Sequence, residues 1–203
     1  YKIKTVENKH THLVPEELEQ LERLSLTGKH MKLQKSLDAF LFCCYAGMRY
    51  SDFTNLSKKN IVDINQETWL IYKSVKTGTE VRLPLYLLFA GKGIVILNKY
   101  RNNLEDFFRL RDNSNINKDL IIIAKLAGLS KKISFHTARH TNATLLIYNG
   151  VNITTVQKLL GHKSVKTTQV YTNIMDMTIV HDLEKMKQAA LGIKKKTDNS
   201  FNK

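Results

Sequence analysis

Residues 159–174 read LLGHKSVKTTQVYTNI, and this stretch sets His162 nine residues before Tyr171. Leu159 and Leu160 end a helical pattern that Gly161 stops, so His162 lies just beyond a helix C-terminus. Upstream, HTARH (residues 136–140) puts His136 and Arg139 three apart, on one face of a helix. Further back, AGMRYSD (residues 46–52) supplies Arg49. A phenol, two guanidiniums and two imidazoles on one polypeptide form an inventory able to attack a phosphodiester without a metal.

The background suits that chemistry. The 32 Lys+Arg against 18 Asp+Glu leave a net charge of +14, which points to a polyanion, nucleic acid first among them. At 203 residues the chain can bury a sizeable core. Its 42% hydrophobic content and only two prolines describe a folded rather than linker-rich protein. No apolar run approaches the roughly 20 residues of a membrane span, so no membrane partner is expected. Cys43 and Cys44 are adjacent and read as buried thiols in a reducing compartment, which suits a cytoplasmic protein.

Pro15 followed by EELEQLERL predicts a helix with its acidic groups at the positive dipole end. A second, more apolar helix over roughly 33–46 belongs at the centre of the core and is broken by Gly47. Ser51 is a candidate cap for the short helix after Arg49. From Thr68 the β-favouring run Trp69, Leu70, Ile71, Tyr72 and Val75, the turn at Thr77-Gly78 and the following EVRLPL predict one antiparallel hairpin. Lys73 and Lys76 lie near its tip. Further helices are expected over roughly 94–101, 117–127, 137–148, 154–160 and 178–190, three of them stopped by Gly128, Gly150 and Gly161. The fold class is mainly α with a small antiparallel β-sheet.

His136 and His140 have the i,i+4 spacing of a metal pair. However, Thr137 stands where a zinc-protease motif has Glu, and no Asp, Glu or Cys nearby completes a ligand set. No metal and no cofactor is expected. Tyr45, Tyr50, Tyr72, Tyr86, Tyr100 and Tyr148 read as packing. Lys163, Lys166 and the 194–196 lysine run would touch phosphates or stay solvated.

Taken in order, these motifs resemble the tyrosine recombinases of the phage integrase family over almost the whole chain. The likeness covers that family's catalytic domain. The Gly47-Met48-Arg49 step with Asp52 three later resembles the first arginine motif, and Asp52 would orient the site. The resemblance assigns the catalytic lysine to Lys76, eight residues before Pro84, in preference to Lys73. It maps HxxR to His136 and Arg139, the His-or-Trp position to His162, and the nucleophile to Tyr171. The implied activity is site-specific DNA strand transfer through a 3′-phosphotyrosyl intermediate, without metal or ATP, in integration or excision of a mobile element. Lys76 is implied as general acid on a mobile hairpin; His136 either takes the Tyr171 proton or holds the phosphate. The same six residues would serve a type IB topoisomerase-like or hairpin-resolving relative. A DNA-binding protein that had lost catalysis is the different-class alternative, and six filled positions argue against it.

The resemblance also implies an organisation. Residues 1–13 look like an interdomain linker, 14–191 like the catalytic domain and 192–203 like a basic flexible tail. Nothing in the chain corresponds to the family's N-terminal core-binding domain. The partner is a double-stranded DNA recombination site, bound by a homo-oligomer, a tetramer in the full-length form and a monomer as an isolated domain. The 178–190 helix would pack in cis or on a neighbouring protomer.

Overall fold

The structure, a computed structural model, describes residues 11–171 together with Lys187. The expected 178–190 helix therefore lies outside the described residues apart from Lys187, as do residues 1–10 and the 192–203 tail. Helices α1 (Pro15–Glu22) and α2 (Gln34–Ala46) are joined by a 3-10 turn, Gly28–Leu33. Then come α3 (Tyr50–Thr54) and strands β1 (Ile61–Ile64), β2 (Glu67–Lys73) and β3 (Glu80–Pro84). The remainder is helical: α4 (Lys92–Lys99), α5 (Leu104–Phe108), α6 (Asn113–Leu126), α7 (Phe135–Tyr148), α8 (Ile153–Leu160) and α9 (Lys166–Gln169). The described residues are thus mainly α with one small antiparallel sheet, as the residue pattern predicts.

Helix α2 is the axis of the core. Every residue from Ser36 to Ala46 is buried, and the helix packs chiefly against α7, with α4 and α6 on its other sides. A helix apolar all round can only be stable when surrounded in this way. Phe42, Phe53 and Phe107 meet edge to face, with centroids 5.9, 6.1 and 5.3 Å apart, joining α2 to α3 and α5. Cys43 and Cys44 are fully buried free thiols, and burial pushes both well above the ordinary thiol range. Among the described residues no helix is long and apolar enough to cross a membrane.

Four local expectations change. The sheet has three strands rather than two, in the order β1-β2-β3. Its extra turn, Asn65-Gln66, holds both residues at positive φ (53° and 66°) without a glycine to announce it. Ser51 lies inside α3, whereas Arg49 takes the N-cap position in an extended conformation, so the helix begins before a Ser51 cap could act. Helix α6 starts at Asn113, because the Asp112 carboxylate accepts the Asn115 backbone N–H at 3.0 Å. Leu13, placed by sequence in the linker-like segment, is fully buried, and its N–H donates to Thr141 Oγ1 at 2.9 Å.

Two helix ends need glycine. Gly47 closes α2 at φ +67°, and a Cβ there would stand 2.6 Å from Asn142 Oδ1 and 2.8 Å from Leu160 Cδ2. Gly161 closes α8 at φ +64°, and a Cβ there would stand 2.6 Å from Val81 Cγ2 of β3. These close approaches let α2, α7, α8 and the sheet converge on one spot. Gly47→Ala should therefore lower the unfolding free energy by about 2 kcal/mol or more, strain and displacement together. Gly128→Ala, at φ +75° with nothing within 4 Å of its Cβ, is the matched control and should lose only the strain. Urea melts showing equal losses for the two would mean that α7 and α8 do not press on Gly47.

Candidate active site

Helix α7 opens with a reciprocal cap in which the Ser134 N–H donates to Thr137 Oγ1 at 3.0 Å. Three residues of its first turns then part company. Arg139 is 1% exposed, and its guanidinium runs inward, where Nη1 donates to Gly47 O and Nη2 to Leu160 O, each at 2.7 Å. His140 is buried, whereas His136 stays exposed at the rim with its ring edge-on to His140, 4.4 Å between centroids. Burial, reinforced by the neighbouring Arg49 charge, pulls the Arg139 proton affinity down to about 10. Two of its five N–H donors are used in these bonds.

Arg49 approaches from the start of α3. Its Nη1 donates to Ser74 Oγ at 3.3 Å and lies 3.6 Å from Asp52 Oδ2. Asp52 is buried, accepts the Val75 backbone N–H at 2.8 Å, and takes the Ser74 hydroxyl at 3.3 Å. Asp52 thus orients Arg49 and also grips the β2–β3 connection just before Lys76. On the far side of Lys76, the Thr77 hydroxyl donates to Gly161 O at 3.1 Å. The hairpin expected to be mobile is tied at both flanks of Lys76, while the Lys76 side chain itself is exposed. Tyr72, read from sequence as packing, lies beneath this cluster. Its hydroxyl is buried without a hydrogen-bond partner among the described residues. Burial and Asp52 raise its proton affinity, against the pull of Arg139 and Arg49.

His162 follows the left-handed Gly161, and Gln157 holds it by accepting the His162 N–H and donating to its carbonyl, both at 3.0 Å. Its Nδ1 lies 2.9 Å from Thr168 Oγ1. A Thr168 hydroxyl donating there leaves the imidazole proton on Nε2. The short α9 then returns the chain so that Tyr171 is 4% exposed, with Oη 3.1 Å from His140 Nδ1. Burial raises the Tyr171 proton affinity, while Arg139 and Arg49 oppose the rise.

The six sequence-predicted residues come from five places in the chain, His136 and Arg139 sharing α7, into one electrostatic neighbourhood. The His162 proton affinity falls to about 4 through burial first, then through Arg139, Arg49, His136 and Lys76. Only Tyr171 is absent from that set of perturbers, and it feels the same two arginines. Sequence reasoning overlooked three participants: His140, Thr168 and Ser74. For His140 a signal exists, its place four residues after His136, but that spacing is shared with a metal pair. Thr168 and Ser74 carry no local signal, because what distinguishes them is their partner across the fold.

Comparison with known proteins is consistent with this geometry. The sequence model described as "Phage integrase family" matches residues 12–177. The chain is 30% identical over 181 residues to a protein named "Tyrosine recombinase" from Pseudothermotoga lettingae, covering 87% of this chain and 60% of that protein. A crystal structure of XerA recombinase superposes with a TM-score of 0.66 at 25% identity, covering 87% of this chain and 65% of the other. A lambda integrase tetramer bound to a Holliday junction superposes at 0.63 with 20% identity, over 79% of this chain and 47% of the other, and shows likeness of fold. The chain spans about 60% of the length of the curated relatives it matches.

The depressed proton affinity of His162 has a measurable consequence. Below about pH 6.5 the unfolded chain takes up a proton at this residue that the folded chain refuses until about pH 4. Stability should therefore fall as pH drops across that window and lose no more from His162 below it. Urea midpoints between pH 7.5 and about pH 4.5 should decline less steeply for His162→Gln than for the parent protein. Parallel slopes would mean that His162 is not held neutral by its surroundings.

Proposed function

The chain belongs to the phage integrase family, and from that premise we propose that it cuts and rejoins DNA strands at a specific site, with Tyr171 as the nucleophile. The observation that carries this reading is that Arg139 and the loop bearing Lys76 are both bonded to the helix end that His162 follows, with Arg49 tied to the same loop through Ser74 and the buried Tyr171 hydroxyl meeting His140 on α7. In phosphoryl transfer there is little covalent work for a protein to do beyond positioning, and cations must meet the charge spreading over the non-bridging oxygens. Arg49 and the remaining donors of Arg139 form a fork for those oxygens, and the His162 Nε2–H adds a further donor. Tyr171 Oη attacks phosphorus, the bond to the 5′-oxygen breaks, and Lys76 protonates that leaving oxygen. The resulting 3′-phosphotyrosyl bond conserves the energy of the broken strand, so rejoining needs neither ATP nor a metal.

The partner is double-stranded DNA. The net charge of +14 supports this, as does likeness to a lambda integrase tetramer bound to a Holliday junction. That likeness also supports action as a homo-oligomer, a tetramer when the full-length protein is assembled on DNA. Residues 14–191 act as the catalytic domain of that protein, in the cytoplasm where its DNA lies. The narrower form of the proposal is integration or excision of a mobile element. Chromosomal roles differ from it by the arrangement of DNA sites rather than by the chemistry of the domain.

The direct test uses the full-length protein and a pool of nicked duplexes with randomised sequence, so that cleaved fragments diffuse away and trap the intermediate. Covalent protein–DNA adducts should form, resist denaturation, and yield on sequencing the preferred site. Tyr171→Phe should abolish them; an adduct persisting in that variant would assign the nucleophile elsewhere. Non-covalent binding should weaken by about 10³-fold between about 50 and 200 mM salt, as expected for a protein contacting at least six phosphates. A salt-insensitive affinity would argue against a phosphate-dominated interface.

A further inference from the structure

We propose that His140 is a further catalytic residue of this centre, the base that accepts the Tyr171 proton as the phenol attacks. The inference rests on the strand-cleavage reading above. It assigns the proton to a residue outside the six that the sequence motifs supply.

His140 meets the Tyr171 hydroxyl through Nδ1 at 3.1 Å, with the two rings 5.5 Å apart. That is transfer distance for a general base. The two histidines named by the motifs sit in different surroundings. His162 has its Nδ1 turned to Thr168, and its surroundings of Arg139, Arg49, His136 and Lys76 all penalise a second proton there. His136 stands at the exposed rim, edge-on to His140. A base is needed because a phenol loses its proton near pH 10 in water, and burial of Tyr171 raises that further.

The step balances. With the His140 proton on Nε2, Nδ1 offers a lone pair to the phenol. The Tyr171 O–H bond breaks, Nδ1–H forms, and the Oη pair makes the bond to phosphorus. The P–O5′ pair leaves on the 5′-oxygen, which takes a proton from Lys76. His140 is then an imidazolium and returns that proton to Tyr171 when the 5′-hydroxyl attacks back. In the interval the proton can exchange with water, because both His140 and His136 line an open cleft of about 770 Å³ together with Lys118, Lys132, Ser134 and Thr137. His136 is thus placed at the solvent end of the pair.

The test measures single-turnover adduct formation by the full-length protein on a duplex recovered from the randomised pool, for His140→Ala and His140→Asn. Asparagine can keep a hydrogen bond to Tyr171 at the position of Nδ1 but cannot take its proton. Both variants should slow adduct formation by about 10²- to 10⁴-fold, with DNA binding and thermal midpoint near those of the parent. Added imidazole should restore part of the rate to His140→Ala, a response that misfolding would not give. A duplex with sulfur replacing the bridging 5′-oxygen, whose departure needs no acid, should rescue Lys76→Ala but neither His140 variant. Near-parental rates in His140→Asn would reduce His140 to an orienting role and overturn the proposal, as would rescue of the His140 variants by the sulfur substrate. Absence of any adduct from the parent protein would instead overturn the strand-cleavage reading, and the assignment with it.

Discussion

Arg139 carries a permanent charge into the centre of the protein, where its two 2.7 Å bonds go to Gly47 O and Leu160 O. These carbonyls belong to the ends of α2 and α8, where unsatisfied oxygens and the negative end of the helix dipole gather. A guanidinium there is a tie between three helices, since α7 supplies the donor. It is also a charge left without a carboxylate to neutralise it among the described ion pairs. Both properties follow from one geometry. The arginine is held rigidly by backbone groups, and its remaining positive field is available to an arriving anion.

The rest of the centre is arranged around that constraint. Gly47 and Gly161 permit the close contacts that bring the carbonyls within reach, because any Cβ would meet Asn142, Leu160 or Val81. Asp52 neutralises part of Arg49 and simultaneously grips the backbone before Lys76. Thr77 then ties the other flank of Lys76 to the Gly161 carbonyl. Lys76, Arg139 and His162 are therefore referenced to the same helix end, which suits a reaction that demands fixed distances. Concentrating cations here has a cost, visible in the lowered proton affinities of Arg139 and His162. A phosphate would relieve that repulsion.

The fold was legible where local chemistry is strong. Pro15 with its acidic first turn, the apolar α2 and the helix-ending glycines sit where residue pattern places them, within a few residues. It was illegible where a signal depended on partners. The Asn65-Gln66 turn has no glycine, and β1 is a short, half-exposed edge whose pairing with β2 comes from the sheet. Helix α5 is only five residues long, anchored by Phe107 and Phe108 buried against other elements.

For the centre itself, the resemblance to the integrase family, carried by residue types at set intervals, was enough to nominate Arg49, Lys76, His136, Arg139, His162 and Tyr171. Those intervals could not say that Arg139 points inward while His136 stays at the rim, though the two lie three apart on one helix. Nor could they say that His140 meets the phenol, or that Thr168 orients His162. Those pairings span 31 and 6 residues and depend on how α7, α8 and α9 pack. Spacing along a chain constrains which groups are present; only packing decides which nitrogen faces which oxygen.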